Sequence, residues 1–298
     1  MASLKSSISY QYRKKTHAKY DLKKQLSAVN HGKPSEMIPP RSMAKTCSVE
    51  TDSLDGRPVY YMNFKISEEK PCILYFHGGT FLTGPAKKHW KFLDSILAAC
   101  DCPVVVPDYP LIPECTHKKI QSWCMKLYLS LLSQCPHGII LMGDSAGANL
   151  SMVIAQQAVK RELPVPKQLL LLSPFLDATR KNPVKNVLAP RDPVIEPVGC
   201  REAALLYAGS ASLDDPLISP IFGSMKDLPK IYAWTGTNDM LYADALLLKE
   251  ALHKAHVPYH LYTYPDMVHD WMFDNFRESR SALRQIIKII KELTKEPA

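Results

Sequence analysis

A chain of 298 residues, 46% hydrophobic and 22% charged, can bury a large core and fits one α/β domain spanning residues 1–298. The formal charge of +8 does not point to nucleic acid, because ten of the 37 basic residues but only two of the 29 acidic ones lie in residues 1–45, leaving the rest balanced. The opening residues lack the continuous apolar stretch of a signal peptide, and no run of about eighteen apolar residues appears, so a soluble, cytoplasmic protein without a membrane span is expected. Eight scattered cysteines then read as reduced thiols, and Cys100 with Cys102, lacking a second pair or clustered histidines, makes no metal site, so no metal is expected.

From about Arg57, short β-rich apolar runs alternate with helical patterns, the mark of a mostly parallel sheet with helices on both faces. Residues 59–64 alternate and predict an early antiparallel strand, and residues 72–76 predict the first buried one. HisGlyGlyThr follows at 77–80. Acyl transfer builds negative charge on a carbonyl oxygen, and a loop of small residues lets backbone N–H groups approach it, so Gly78, Gly79 and Thr80 are candidate oxyanion donors. His77, at the loop's start, is read as structural. A helix is expected over 88–100, a strand over 104–106 and a helix over 117–134.

The strand predicted over 139–142 runs into GlyAspSerAlaGly (143–147), and an apolar helix is expected over 146–161. A serine at such a strand-to-helix turn is held strained and exposed, flanked by glycines that let the two elements close up. Ser145 is therefore the candidate nucleophile, and the amide of Ala146, at the positive end of the helix dipole, a further oxyanion donor. After a strand over 169–172 comes a proline-rich insertion, about 177–216, with a short helix near 201–208. It and residues 1–45 fall outside the alternation, and both are candidates for a cap over the sheet's C-terminal edge, where open α/β sheets bind ligands.

Strands over 231–234 and 260–264 flank a helix at 240–255, and a last helix is expected over 277–294. Asp239 follows the first of these strands and His269 the second, the chain order serine, acid, histidine. His269 would take the Ser145 proton and Asp239 would fix its tautomer. Asp244, Asp270, His253, His256 and His260 are weaker competitors. Phe81, Leu82, Tyr109 and Trp271, with Ile195 or Val198 from the insertion, are candidate walls of a substrate pocket.

Together these segments resemble the hormone-sensitive-lipase-like esterases of the α/β-hydrolase superfamily. HisGlyGlyThr matches the family's HGGG, residues 108–114 (AspTyrProLeuIleProGlu) its DYRLAPE, and residues 143–149 its GDSAGGN. Thr80, Pro110 and Ala148 depart from the pattern without removing a catalytic group. The resemblance implies an α/β-hydrolase fold with a helical cap, no cofactor, and hydrolysis of short-chain acyl esters. The alternatives are a deacetylase of acetylated sugars or xenobiotics, a lipase, and a non-catalytic small-ligand receptor on the same fold. A small-molecule ester is the expected partner, and a homodimer the one assembly entertained.

Overall fold

A computed structural model describes residues 2–16, 26, 38–65, 70–100 and 102–293. Its frame is one eight-stranded sheet: β1 (Val49–Leu54), β2 (Arg57–Met62), β3 (Cys72–Phe76), β4 (Val104–Pro107), β5 (Ile139–Asp144), β6 (Gln168–Leu172), β7 (Lys230–Gly236) and β8 (Tyr259–Tyr264), in the order β1-β2-β4-β3-β5-β6-β7-β8. The β1–β2 and β2–β4 pairings are antiparallel and the others parallel. The helices are α1 (Leu4–Lys15), α2 (Lys87–Cys100), α3 (His117–Leu132), α4 (Ala146–Lys160), α5 (Pro183–Leu188), α6 (Pro197–Ala208), α7 (Tyr242–Lys254) and α8 (Arg277–Leu293).

The period of two along each central strand divides the core. Leu74, Phe76, Leu141, Leu169 and Leu171 face α3, α4 and α7. Ile73, Tyr75, Ile140, Leu170 and Trp234 face α2 and α8. Both sides of these strands are buried, which is why they read as continuous apolar runs. On α8 only one stripe, Ala282, Ile286, Ile289, Ile290 and Leu293, is buried, matching its amphipathic pattern.

Three elements went unread in the sequence. α1 buries only Ser6, so it has no apolar stripe to detect. β1 has no buried residue and pairs only with β2, so its polar sequence carries no alternation to detect. α5 is six residues long, starting from Asn182, whose side chain accepts from the Val184 amide. The expected helix near 201–208 begins earlier, at Pro197, where the Glu196 carboxylate accepts the Val198 and Gly199 amides and proline suits the first turn. Of the N-terminal stretch, residues 1, 17–25 and 27–37 lie outside the described residues. No residue of α1 lines the pocket described below: Arg13 pairs with Asp274 at 2.9 Å, the Ser3 hydroxyl donates to Glu278, and the Tyr10 hydroxyl donates to the Arg191 carbonyl at 3.1 Å.

Parallel pairing in register brings the C-terminal ends of β3, β5, β6, β7 and β8 to one edge. Residues 77–81, 145, 173–176, 239 and 269 all leave from it, and α5 and α6 sit within the connection that leaves β6.

Candidate active site

β5 ends at Asp144 and α4 starts at Ala146, so Ser145 makes the whole turn, with φ 50° and ψ −114°. A non-glycine residue there is strained, and persists only where neighbours fix it. The Ser145 amide donates to the Leu172 carbonyl (2.9 Å), and its own carbonyl accepts from Phe175 (3.2 Å). A Cβ on Gly147 would lie 1.9 Å from the Phe76 carbonyl oxygen, so α4 can cross β3 this closely only with glycine at that position. Asn149, one turn on, donates to the carbonyls of Phe175 (3.1 Å) and Ile218 (2.9 Å), fastening the helix to the connection after β6.

Ser145 Oγ and His269 Nε2 are 3.0 Å apart, and His269 Nδ1 and Asp239 Oδ2 also 3.0 Å. The other Asp239 oxygen accepts the Leu241 amide at 2.8 Å, which orients a fully buried carboxylate. Burial opposes charge on His269, but the nearby carboxylates of Asp270 and Asp239, with Asp192 behind them, outweigh it and raise the imidazole pKa above its ordinary value. Such a histidine is a strong base. Of the competitors, His253 is on α7, His256 just beyond it and His260 on β8, Asp244 forms a buried ion pair with Lys185 at 2.7 Å, and Asp270 lies beside the relay, 3.7 Å from His269 Nε2.

The loop after β3 turns through three positive φ values, Gly79 at 109°, Thr80 at 60° and Phe81 at 60°, and the Gly79 carbonyl accepts the amides of Leu82 and Thr83. Gly79, Thr80 and Ala146 line the pocket beside Ser145. Gly78 does not join them. Its amide donates to Asp144 Oδ1 at 2.9 Å, so it anchors the loop rather than facing an oxyanion. Asp144 also accepts from the Tyr75 hydroxyl and sits 3.2 Å from His89 Nε2. Although burial opposes its charge, His89 and Lys88 hold its carboxyl well below the usual range. Thr80, which stands at the family's third glycine, affects this loop through its backbone, since a β-branched residue at positive φ is strained. His77 is buried, stacked on Tyr109 with ring centroids 4.2 Å apart, and burial lowers its pKa to about 3, so it stays neutral.

The pocket above Ser145 encloses about 130 Å³, close to the size of a cavity that holds one benzene. Phe81 lines it, its ring stacked on Tyr207 at 3.7 Å. Three expected wall residues are not there. Leu82 is buried in the core below the loop. Tyr109 is fully buried, with its hydroxyl donating to the His77 carbonyl at 2.6 Å. Trp271 is turned inward by the 3₁₀ turn at 271–273 and packs on Tyr264. Leu82 and Trp271 each adjoin a pocket residue, Phe81 and Asp270, and sequence distance does not reveal which way a side chain points. Ile195 does line the pocket, whereas Val198 faces solvent.

The remaining apolar wall comes from Phe175, Val194, Cys200, Ala204 and Leu241, none of them read as a pocket residue from sequence, and Lys88, Glu196 and Asp270 complete the lining. Asp192 organises that side: one oxygen accepts the Val194 and Ile195 amides and the other the Met240 amide, next to Asp239. Burial and the Asp239 charge raise its pKa to about 6. An aspartate before proline signals only a turn, so the link to Met240, far along the chain, could not be read.

A mostly parallel eight-stranded sheet with a serine on the strained turn after β5, backed by histidine and aspartate from later strand ends, defines the α/β-hydrolase class. The chain belongs to that family: a family model described as alpha/beta hydrolase fold matches residues 73–273. It is 30% identical over 234 residues to a triacylglycerol lipase of Mycobacterium tuberculosis, covering 74% of this chain and 48% of that protein. It is 28% identical over 201 residues to an acetyl-hydrolase of Streptomyces hygroscopicus, covering 67% of each. Among solved structures, the hormone-sensitive-lipase homologue EstE7 from a metagenome library superposes with a TM-score of 0.84 at 26% identity, over 99% of this chain and 100% of that one. Among the described residues, no helix is long and apolar enough to cross a membrane.

Proposed function

We propose that this protein is a serine carboxylesterase that hydrolyses short-chain acyl esters through an acyl-enzyme. The observation that carries the reading is the unbroken relay from Ser145 through His269 to Asp239, 3.0 Å at each step, at the base of a pocket of about 130 Å³. Ser145 attacks the ester carbonyl as His269 Nε2 takes its proton, and Asp239 steadies the imidazolium. The amides of Gly79, Thr80 and Ala146 receive the oxyanion, with α4's dipole favouring the charge. His269 returns the proton to the departing alcohol, and water then releases the acid by the same steps in reverse. α6 and the stretch before it act as the cap, with α5 leading into them, since Val194, Ile195, Glu196, Cys200 and Ala204 wall the pocket.

The pocket's volume favours acetyl-sized groups over long chains, and the similarity to an acetyl-hydrolase supports the same reading. A receptor that only binds has no use for a hydrogen-bonded nucleophile and base. Initial rates on p-nitrophenyl esters from acetate to palmitate, with wild type, Ser145→Ala and His269→Ala side by side, test the proposal. Turnover should be fastest on the short esters and abolished in both variants. A folded wild type inert on the whole series would refute it.

A further inference from the structure

His269 faces a second carboxylate that the triad does not use. Asp270 Oδ2 lies 3.7 Å from His269 Nε2, on the side turned towards Ser145 rather than towards Asp239. The same oxygen is 3.0 Å from Lys88 Nζ on α2, whose ammonium also sits 4.8 Å over the Phe273 ring. Asp270 is one-tenth exposed, and its other oxygen is buried without a hydrogen-bond partner among the described residues. The backbone holds this arrangement: Asp270 adopts φ 56° and ψ 25°, and its amide donates to Ser173 Oγ at 3.2 Å.

We infer that Asp270, clamped by Lys88, is a positioning residue of the proton relay: it favours the imidazolium through space from the Nε2 side while Lys88 keeps it from accepting the Nε2 proton. The inference rests on the reading of Ser145, His269 and Asp239 as a triad. During attack the proton passes from Ser145 Oγ to Nε2 as the Oγ–carbon bond forms, and positive charge spreads over the ring. A carboxylate 3.7 Å away stabilises that charge, yet it is beyond hydrogen-bond range and leaves Nε2–H aimed at the departing oxygen. Without Lys88 the carboxylate could swing onto Nε2–H and divert the proton.

The other charged groups around this pair are accounted for. Asp239 meets Nδ1, Asp192 spends its oxygens on three backbone amides, and Glu196, across the pocket, caps α6. Asp144 and Asp274 add to the field on Lys88, but Asp144 is held by Gly78, Tyr75 and His89, and Asp274 by Arg13.

The test is the pH profile of kcat/KM on p-nitrophenyl acetate for wild type, Asp270→Asn and Lys88→Gln, with fluorophosphonate labelling of Ser145 as a control. Asparagine accepts the left-handed backbone of this position, so Asp270→Asn should fold; Lys88→Gln, at the partly exposed start of α2, carries the test if it does not. The acidic limb should move down by roughly one pH unit in Asp270→Asn and up in Lys88→Gln, with kcat lowered in the latter. Limbs that coincide with wild type overturn the inference, whatever happens to kcat, because a merely structural role changes the rate and not the limb. A wild type whose Ser145 resists the fluorophosphonate overturns the triad reading as well, which separates the two failures.

Discussion

The two sides of the pocket are built by different means. The strand-end side takes its shape from strained backbone: Thr80, Phe81, Ser145 and Asp270 all stand at positive φ, each held by parallel strands locked in register. The cap side consists of two helices with ordinary caps, tied down by a few buried side chains, chiefly Asp192 to Met240 and Lys185 to Asp244. The contrast teaches where tolerance to change should lie. Geometry needed to within a fraction of an ångström comes from the sheet, while the cap can alter its lining without disturbing the relay.

The largest effects should follow from the strand-end side. Ser145→Ala or His269→Ala should lower kcat on p-nitrophenyl acetate by on the order of 10⁶-fold, and Asp239→Asn by about 10⁴-fold, with unchanged thermal unfolding. Gly147→Ala should instead cost about 3 kcal/mol of stability, visible as a lowered Tm, because the new methyl meets the Phe76 carbonyl at 1.9 Å. A Gly147→Ala variant as stable as wild type would break the comparison, since the cap side is expected to be the forgiving one.

Asp192→Ala leaves three backbone amides, two of them buried, without their acceptor and should destabilise by about 2 kcal/mol while raising KM more than it lowers kcat. Ala204→Leu should narrow the pocket, so the butyrate-to-acetate ratio of kcat/KM falls while activity on acetate persists. The smallest change is a matter of pH: Asp270 and Asp239 overcome burial and raise the His269 pKa above its ordinary 6.5. The neutral base is lost as pH falls through that raised value, so the acidic limb of wild-type kcat/KM should be centred above pH 6.5.

Much of this was legible in the chain itself. Buried strands announce themselves as apolar runs because both faces are covered, and the order of Ser145, Asp239 and His269 follows from which strand each residue ends. The loop after β3 was legible as a segment but not residue by residue. Gly78 and Gly79 are adjacent glycines, yet one amide anchors to Asp144 while the other lines the pocket. β1 escaped notice because a strand exposed on both faces leaves no hydrophobic period.

By itself, then, the sequence determined the α/β alternation, the strained turn at Ser145 and the three groups that could relay a proton, since these depend on local spacing and on elements whose direction parallel pairing dictates. Only the tertiary structure decided which side chains line the pocket. Tyr109 and Trp271 went to the core, while Phe175, Ala204 and Leu241 came to the pocket from three separate stretches of chain. It alone placed Asp192 against Met240 and Lys88 against Asp270, because such pairings depend on how helices settle across a sheet, over distances that residue-to-residue spacing does not encode.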